Sequence, residues 1–331
     1  MIRMSTKRIG LSLVGNHTCR DLLQYVKLAE GYGYESAWLP EDLGMRDAIS
    51  PLATFAVSTN RIALATGILP IHYRPPALTA MTFATLDEIS NGRMILALGH
   101  GLLNWLAQQS IQIRKPTEAM KEYTHILRQL WAGETVNHDG TVYKVNNVKL
   151  SFSPTRSKIP IYFAARGPKM FQAAGEVADG VLNNEGLVAP QYFEWVKNNL
   201  AEGAEKSGRK LSDVDLAAYV FVSVANDHDE AKERVKPSLI SMLANGDLAA
   251  HLDKLGSSIT EVTPTIKAWN RKDVKEACKL IPESILQGGS IYGTPAECER
   301  KMNEFRALGI TLPIVLPVGN FSETMKVAMN W

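Results

Sequence analysis

Apolar residues follow two rhythms along this chain. Short, nearly continuous apolar runs alternate with longer stretches in which apolar positions recur every third or fourth residue. The first rhythm marks buried strands and the second amphipathic helices. Strands are predicted over residues 9–14, 35–39, 61–65, 93–98, 159–164, 179–183, 214–224 and 312–316. Helices are predicted over 20–32, 51–58, 75–89, 117–131, 168–177 and 190–207, with another from Asp229, and over 294–308 and 322–329. The helix 20–32 sets Leu22, Leu23, Val26, Leu28 and Ala29 on its apolar side. The helix 75–89 opens with two prolines, where a missing N–H does little harm.

Strand and helix in strict alternation imply a parallel sheet. Eight strands in such a repeat count to a closed barrel, more than most open doubly wound sheets use. The predicted class is therefore α/β, a (β/α)8 TIM barrel in a single domain over 1–331. Two segments break the repeat. Residues 133–150 read as a hairpin turning at His138-Asp139-Gly140, and 237–289 read as a helical insertion after the seventh strand. Active sites of such barrels sit at the C-terminal ends of the strands, so the chemistry is sought there.

After strand two stand Trp38-Leu39-Pro40-Glu41-Asp42. This carboxylate pair suits acid, base or cofactor contact; the plain alternative is that Asp42 caps a helix and Glu41 is solvated. Arg46 and Asp47 read as a local ion pair. After strand three, Gly67 permits close backbone approach by a ligand or makes a plain turn. After strand four, Gly99-His100-Gly101 forms either an open loop with its imidazole facing a pocket or a structural turn. After strand five, Ala165-Arg166-Gly167-Pro168-Lys169 leads into a helix, an arrangement of amides and bases that suits a phosphate. A strand–helix turn with solvated bases is the alternative. After strand six, Asn183-Asn184-Glu185-Gly186 offers amides and a carboxylate, or is an ordinary polar loop.

Composition narrows the classes. The 331 residues hold 36 Lys and Arg against 34 Asp and Glu, and 45% are hydrophobic. This excludes a disordered chain and leaves no basic excess for a dedicated nucleic-acid binder. Cys19, Cys278 and Cys298 form no CxxC pair, which fits a reducing cytoplasm. The basic N-terminus has no apolar run behind it to make a secretory signal, and no stretch is long enough to span a membrane. The histidines His17, His72, His125, His138, His228 and His251 show no metal-ligand spacing. No GxSxG elbow, Walker loop or GxGxxG after a strand is present.

Ordered words carry a resemblance. Ala65-Thr-Gly-Ile-Leu-Pro70, Tyr73-Arg-Pro-Pro-Ala-Leu-Thr-Ala80, Ala84-Thr-Leu-Asp-Glu-Ile-Ser-Asn-Gly-Arg93 and Leu98-Gly-His-Gly101 resemble the bacterial luciferase-like monooxygenase superfamily. Ile159 to Pro168, Ala174 to Gly180, Glu202 to Glu205, Asp213 to Tyr219 and Tyr292 to Pro295 resemble its F420-dependent methylenetetrahydromethanopterin reductase group. The resemblance implies a luciferase-like barrel and an oxidoreductase that moves hydride between coenzyme F420 and a small organic substrate. It also implies a non-proline cis peptide at Gly67–Ile68 behind the deazaflavin ring. It places Trp38, Gly67, Ile68, Gly99, Gly101, Ala165, Arg166, Gly167, Pro168, Asn183 and Asn184 around the cofactor. Glu41, Asp42 and His100 are then the candidates for proton handling. Asp42 holds the place of a family histidine, Ser12 lies in the strand where the reductases carry an acid, and Leu102 replaces a glutamate of the sugar-phosphate dehydrogenases. An FMN-dependent monooxygenase using molecular oxygen and a non-catalytic flavin-binding protein are the rival readings. Helices one to three imply a homodimer or larger. The insertion, with Gly246, Gly256, Gly288 and Gly289, is expected to cover the barrel mouth as a lid.

Overall fold

The computed structural model describes residues 8–183, 189–245 and 249–331. The N-terminal basic stretch up to Lys7, Asn184, Glu185, Gly186 and Gly246 therefore lie outside the described residues. The strands are β1 (Gly10–Ser12), β2 (Ser36–Leu39), β3 (Ala63–Thr66), β4 (Leu69–Pro70), β5 (Met94–Gly99), β6 (Val136–Asp139), β7 (Lys144–Val148), β8 (Ile161–Ala164), β9 (Gly180–Asn183), β10 (Asp215–Val224), β11 (Ser290–Gly293) and β12 (Leu312–Pro317). The main sheet runs in the order β11-β10-β12-β1-β2-β3-β5-β8-β9, and β9 also pairs with β10. Eight strands thus close on themselves, the (β/α)8 barrel that the alternation predicts. Two compact units divide these residues.

The larger unit covers residues 11–182 and 199–215. Its parallel strands bury nearly every side chain, which is why they read as continuous apolar runs rather than alternating ones. Ser36 pairs with Ala63, Leu64 with Met94, Leu96 with Ile161 and Tyr162 with Gly180. β3 and β4 both pair with β5, Ala65 opposite Ile95 and Leu69 opposite Leu98. Four steps on one strand match three on the other, so a bulge lies at Gly67–Ile68. The peptide joining those two residues is cis, as the resemblance implies.

The Asn91-Gly92-Arg93 word has a structural explanation. Asn91 and Gly92 both take positive φ, which turns the chain sharply out of the helix Pro76–Ile89. Arg93 then donates to the carbonyls of Ser90, Ile62, Ala56 and Thr59 and to Thr59 Oγ1. Asp87, fully buried, is held by Arg156, whose Nε donates at 2.9 Å. The β6–β7 hairpin is antiparallel, as expected. A short helix, Leu103–Gln108, is an addition to the predicted elements. Arg46 corrects another expectation. It donates to the carbonyls of Gly15 and Asn16, while Asp47 accepts from Ser50 N, so the two do not pair.

The smaller unit covers residues up to 10, 183–198 and 216–331. β10 pairs in parallel with β12 from Ala217 to Val222, and with β11 from Phe221 to Val224. β11 is a strand that the apolar rhythm does not show. The helix His228–Ala244 runs through Pro237, so no boundary falls at that residue. Ala249–Leu255, Ile259–Asn270, Val274–Leu280 and Glu283–Gly289 follow, all helical. Among the described residues no helix is long and apolar enough to cross a membrane.

Candidate functional site

In the larger unit the C-terminal ends of β2, the β3–β4 bulge, β5 and β8 stand side by side, because those strands are neighbours in the parallel sheet. Glu41, Asp42, Gly67, Ile68, Gly99, His100, Gly101 and the loop Ala165-Arg166-Gly167-Pro168 follow those ends. The bulge is tied at both flanks. Gly67 N–H donates to the Leu39 carbonyl at 2.8 Å, and Glu41 N–H donates to the Ile68 carbonyl at 2.9 Å. Ile68 is half-buried in an otherwise buried stretch. Gly99 lies behind it: a Cβ on Gly99 would stand 2.9 Å from Ile68 Cδ1 and 3.2 Å from Ala164 Cβ. A side chain at position 99 would therefore make the tip of Ile68 shift and Ala164 give way slightly, which glycine avoids. A Cβ on Gly101 would press on Pro70 at 3.3 Å, and its φ of 78° favours glycine on its own account.

Trp38 has a different place. Its ring is fully buried, its indole N–H donates to Ser36 Oγ at 2.8 Å, and its edge meets Tyr162. These are the contacts of a core residue. Ser12 is likewise buried in β1.

The two carboxylates after β2 depart from the plain alternative, in which Asp42 caps a helix and Glu41 is solvated. Glu41 Oε2 accepts from Ala48 N at 2.7 Å, so Glu41 holds the start of the helix Ile49–Ser58. Asp42 caps nothing; its carbonyl accepts from Met45 N in a turn. Its carboxyl makes no hydrogen bond among the described residues. Burial, with the Glu41 carboxylate adding to it, pushes Asp42 up to about 6. Asp42 can thus carry a proton close to neutral pH, as a carboxyl removed from water does.

At β5, His100 Nδ1 lies 3.0 Å from His72 Nε2. Burial first, and the His72 ring second, push His100 down to about 4, against the opposing effect of the Pro116 carbonyl. His72 is the residue that sequence reasoning passed over, being treated only as a failed metal ligand. Its place two residues beyond Pro70 was the available signal.

The loop after β8 ends in Gly167, at φ 74°, where an added Cβ would meet nothing within 4 Å. Gly167 precedes the helix Pro168–Val177 and supplies no side-chain cap. Arg166 and Lys169 flank it on the exposed side. Backbone amides, open space and two bases fit a phosphate or carboxylate of a bound cofactor. In the smaller unit, Asn183 is fully buried. Its Oδ1 accepts from Tyr192 Oη at 3.1 Å, and its Nδ2 has no partner among the described residues. No group of three His, Cys, Asp or Glu side chains among the described residues is placed to hold a metal ion.

A barrel with glycine-lined strand ends and a cationic helix start is the frame of a cofactor-binding enzyme class. A model of the luciferase-like monooxygenase family matches residues 3–312, and the chain belongs to that family. It is 33% identical over 317 residues to the 5,10-methylenetetrahydromethanopterin reductase of Archaeoglobus fulgidus, covering 94% of each chain. It is 33% identical over 230 residues to the F420-dependent glucose-6-phosphate dehydrogenase of Microbacterium testaceum, covering 65% of this chain and 68% of that one. Among solved structures it resembles the coenzyme F420-dependent tetrahydromethanopterin reductase of Methanopyrus kandleri. The TM-score is 0.90 at 27% identity, over 98% of both chains.

Proposed function

We propose that this protein is an F420-dependent oxidoreductase that moves hydride between the deazaflavin and a small organic substrate. The observation that carries the reading is the Gly67–Ile68 bulge, tied to Leu39 and Glu41 and seated against Gly99. It offers a fixed backbone wall for a planar ring. Two relatives named as F420-dependent, a glucose-6-phosphate dehydrogenase and a tetrahydromethanopterin reductase, support the cofactor.

F420, when bound, supplies two-electron hydride chemistry. The chain's own part is positioning and charge. Ile68 and Gly99 would support the ring. Arg166, with the amides beyond Gly167, would hold the anionic tail. Asp42 and His100 stand as the groups that handle or direct a proton near the ring. Ser12 brings no acid to β1 and Leu102 none to the β5 loop. Pterin and sugar-phosphate substrates of the relatives would therefore lack those two contacts here. The reading is accordingly one of reaction class.

Separate titration of F420 and FMN into the protein tests this. Saturable F420 binding at micromolar concentration, with FMN at least tenfold weaker, is the expected result. Saturable FMN binding without F420 binding would turn the assignment to the monooxygenase reading.

A further inference from the structure

The helix Pro116–Trp131 starts beside the loop after β5, where the Pro116 carbonyl stands next to the His100 ring. The helix Pro168–Val177 starts at Gly167, after β8. Between these two helices lies a groove of about 380 Å³, whose charged lining is Glu118, Lys121, Lys169, Glu176 and Lys206. Pro116 and Lys169 both border it, so one end of the groove opens at the two helix starts, next to the amides beyond Gly167.

The start of a helix is its positive end, which favours carboxylates and disfavours bases. These two starts carry bases all the same. Lys169 is the second residue of its helix, exposed and without a hydrogen bond or ion pair among the described residues. Arg114 and Lys115, both exposed, immediately precede Pro116. Glu118 is the one carboxylate in the first turn of either helix. Further along the groove, Glu176 is taken by Lys121. Lys206 donates to the neutral amide oxygen of Gln172 at 2.9 Å, which leaves its charge unbalanced. The whole chain nearly balances, with 36 bases against 34 acids, so this positive run is local. Bases set against two helix dipoles do not serve the helices; they suit an anion lying between them.

We propose that this groove takes the γ-glutamyl tail of F420, with the cofactor phosphate at the amides beyond Gly167 and the tail carboxylates running past Lys169 toward Lys121 and Lys206. The proposal rests on the function proposed above. F420 carries a chain of γ-linked glutamates beyond its phosphate, and FMN carries none. A tail tethered through its phosphate meets these lysines at high effective concentration. Each exposed ion pair changes affinity by up to about fivefold, and salt screens it.

Titration of the protein with F420 bearing two glutamates and with F420 bearing six, followed by deazaflavin fluorescence, tests this. At about 0.02 M salt the longer form should bind about tenfold tighter, and the gap should fall below about twofold at 0.5 M salt. Lys169→Gln should narrow the gap at low salt and Glu118→Gln should widen it. Opposite signs of this kind are not expected from a loss of folding. Equal affinity of the two forms for the wild-type protein at low salt would overturn the proposal without touching the proposed function, and so would a full gap in Lys169→Gln combined with Lys206→Gln. The wild-type comparison decides even if a variant fails to fold. If neither form binds, the proposed function falls, and free hexa-γ-glutamate then decides the groove. Saturable shifts of the Lys169 side-chain resonances at low salt would uphold it as a polycarboxylate site, and their absence would overturn it.

Discussion

Burial, with the Glu41 carboxylate adding to it, holds Asp42 up to about 6. A carboxyl that binds its proton more tightly folded than unfolded weakens the fold when it ionises. That cost is absent below the ordinary aspartate range, grows as pH rises through about 6, and is complete above it. Asp42→Asn removes it. The variant should be more stable than wild type by about 1–2 kcal/mol at pH 8, a figure discounted for partial solvent access, and the gap should close near pH 4. Urea unfolding at both pH values measures this, and equal midpoints at pH 8 would contradict it. Arg166 makes a separate prediction. Arg166→Ala should weaken F420 binding by about 1.5–3 kcal/mol, the scale of a hydrogen bond to a charged group. Unchanged affinity at low salt would remove Arg166 from the site. Both positions could be read from the sequence because they follow strand ends. Their partners could not: nothing in Glu41-Asp42 says which carboxylate reaches Ala48, since a loop decides it. The His72–His100 contact joins residues 28 apart and needed the β4–β5 register to become visible.

Among the elements, the β6–β7 hairpin depends on one distant carboxylate. Glu122 accepts from the backbone of Thr141, Val142 and Tyr143 and from Thr141 Oγ1. Burial alone would raise its carboxyl, but these hydrogen bonds outweigh it and bring it to about 2. A depressed carboxylate lends stability above its unfolded range and loses it as pH falls through the folded value. Glu122→Gln should therefore cost about 1–3 kcal/mol at pH 7, with the difference shrinking between about pH 5 and pH 2. A constant difference across that range, by urea unfolding, would contradict the assignment. Gly203 sets up a conflict of principles. Helix propensity alone would make Gly203→Ala stabilising by about 1 kcal/mol. The added Cβ would instead run into the carbonyl of Gln172 in the helix Pro168–Val177. Overpacking against backbone costs roughly 1–3 kcal/mol or more, so the variant should be less stable, as thermal unfolding would show. Elements with a strong period were legible from sequence. β11 was not, because Ser290-Ile-Tyr-Gly293 is short and directly continues a helical stretch. Nor was the helix Leu103–Gln108, a six-residue stretch too short to show a period. Pro237 misled for the opposite reason: tertiary packing of Val235, Leu239 and Ile240 keeps the helix continuous through it.

For the whole molecule, the barrel class followed from the strand–helix alternation, because parallel strands buried on both faces leave an unusually plain apolar signal. Assembly is a further expectation. The helices Ile49–Ser58 and Pro76–Ile89 expose Val57, Leu78, Met81 and Ile89, with Val57 72% accessible. Exposed apolar residues on two helices that pack together are candidates for an interaction surface. A homodimer or larger is expected at micromolar concentration, and Met81→Glu should shift it to monomer; a monomeric wild-type mass by light scattering would contradict this. The most direct measurement of the central claim is a crystal structure of the protein grown with F420. The deazaflavin ring should lie against Gly67–Ile68 and its anionic tail should reach Arg166 and Gly167. A ring bound away from that bulge, with the tail elsewhere, would contradict the assignment.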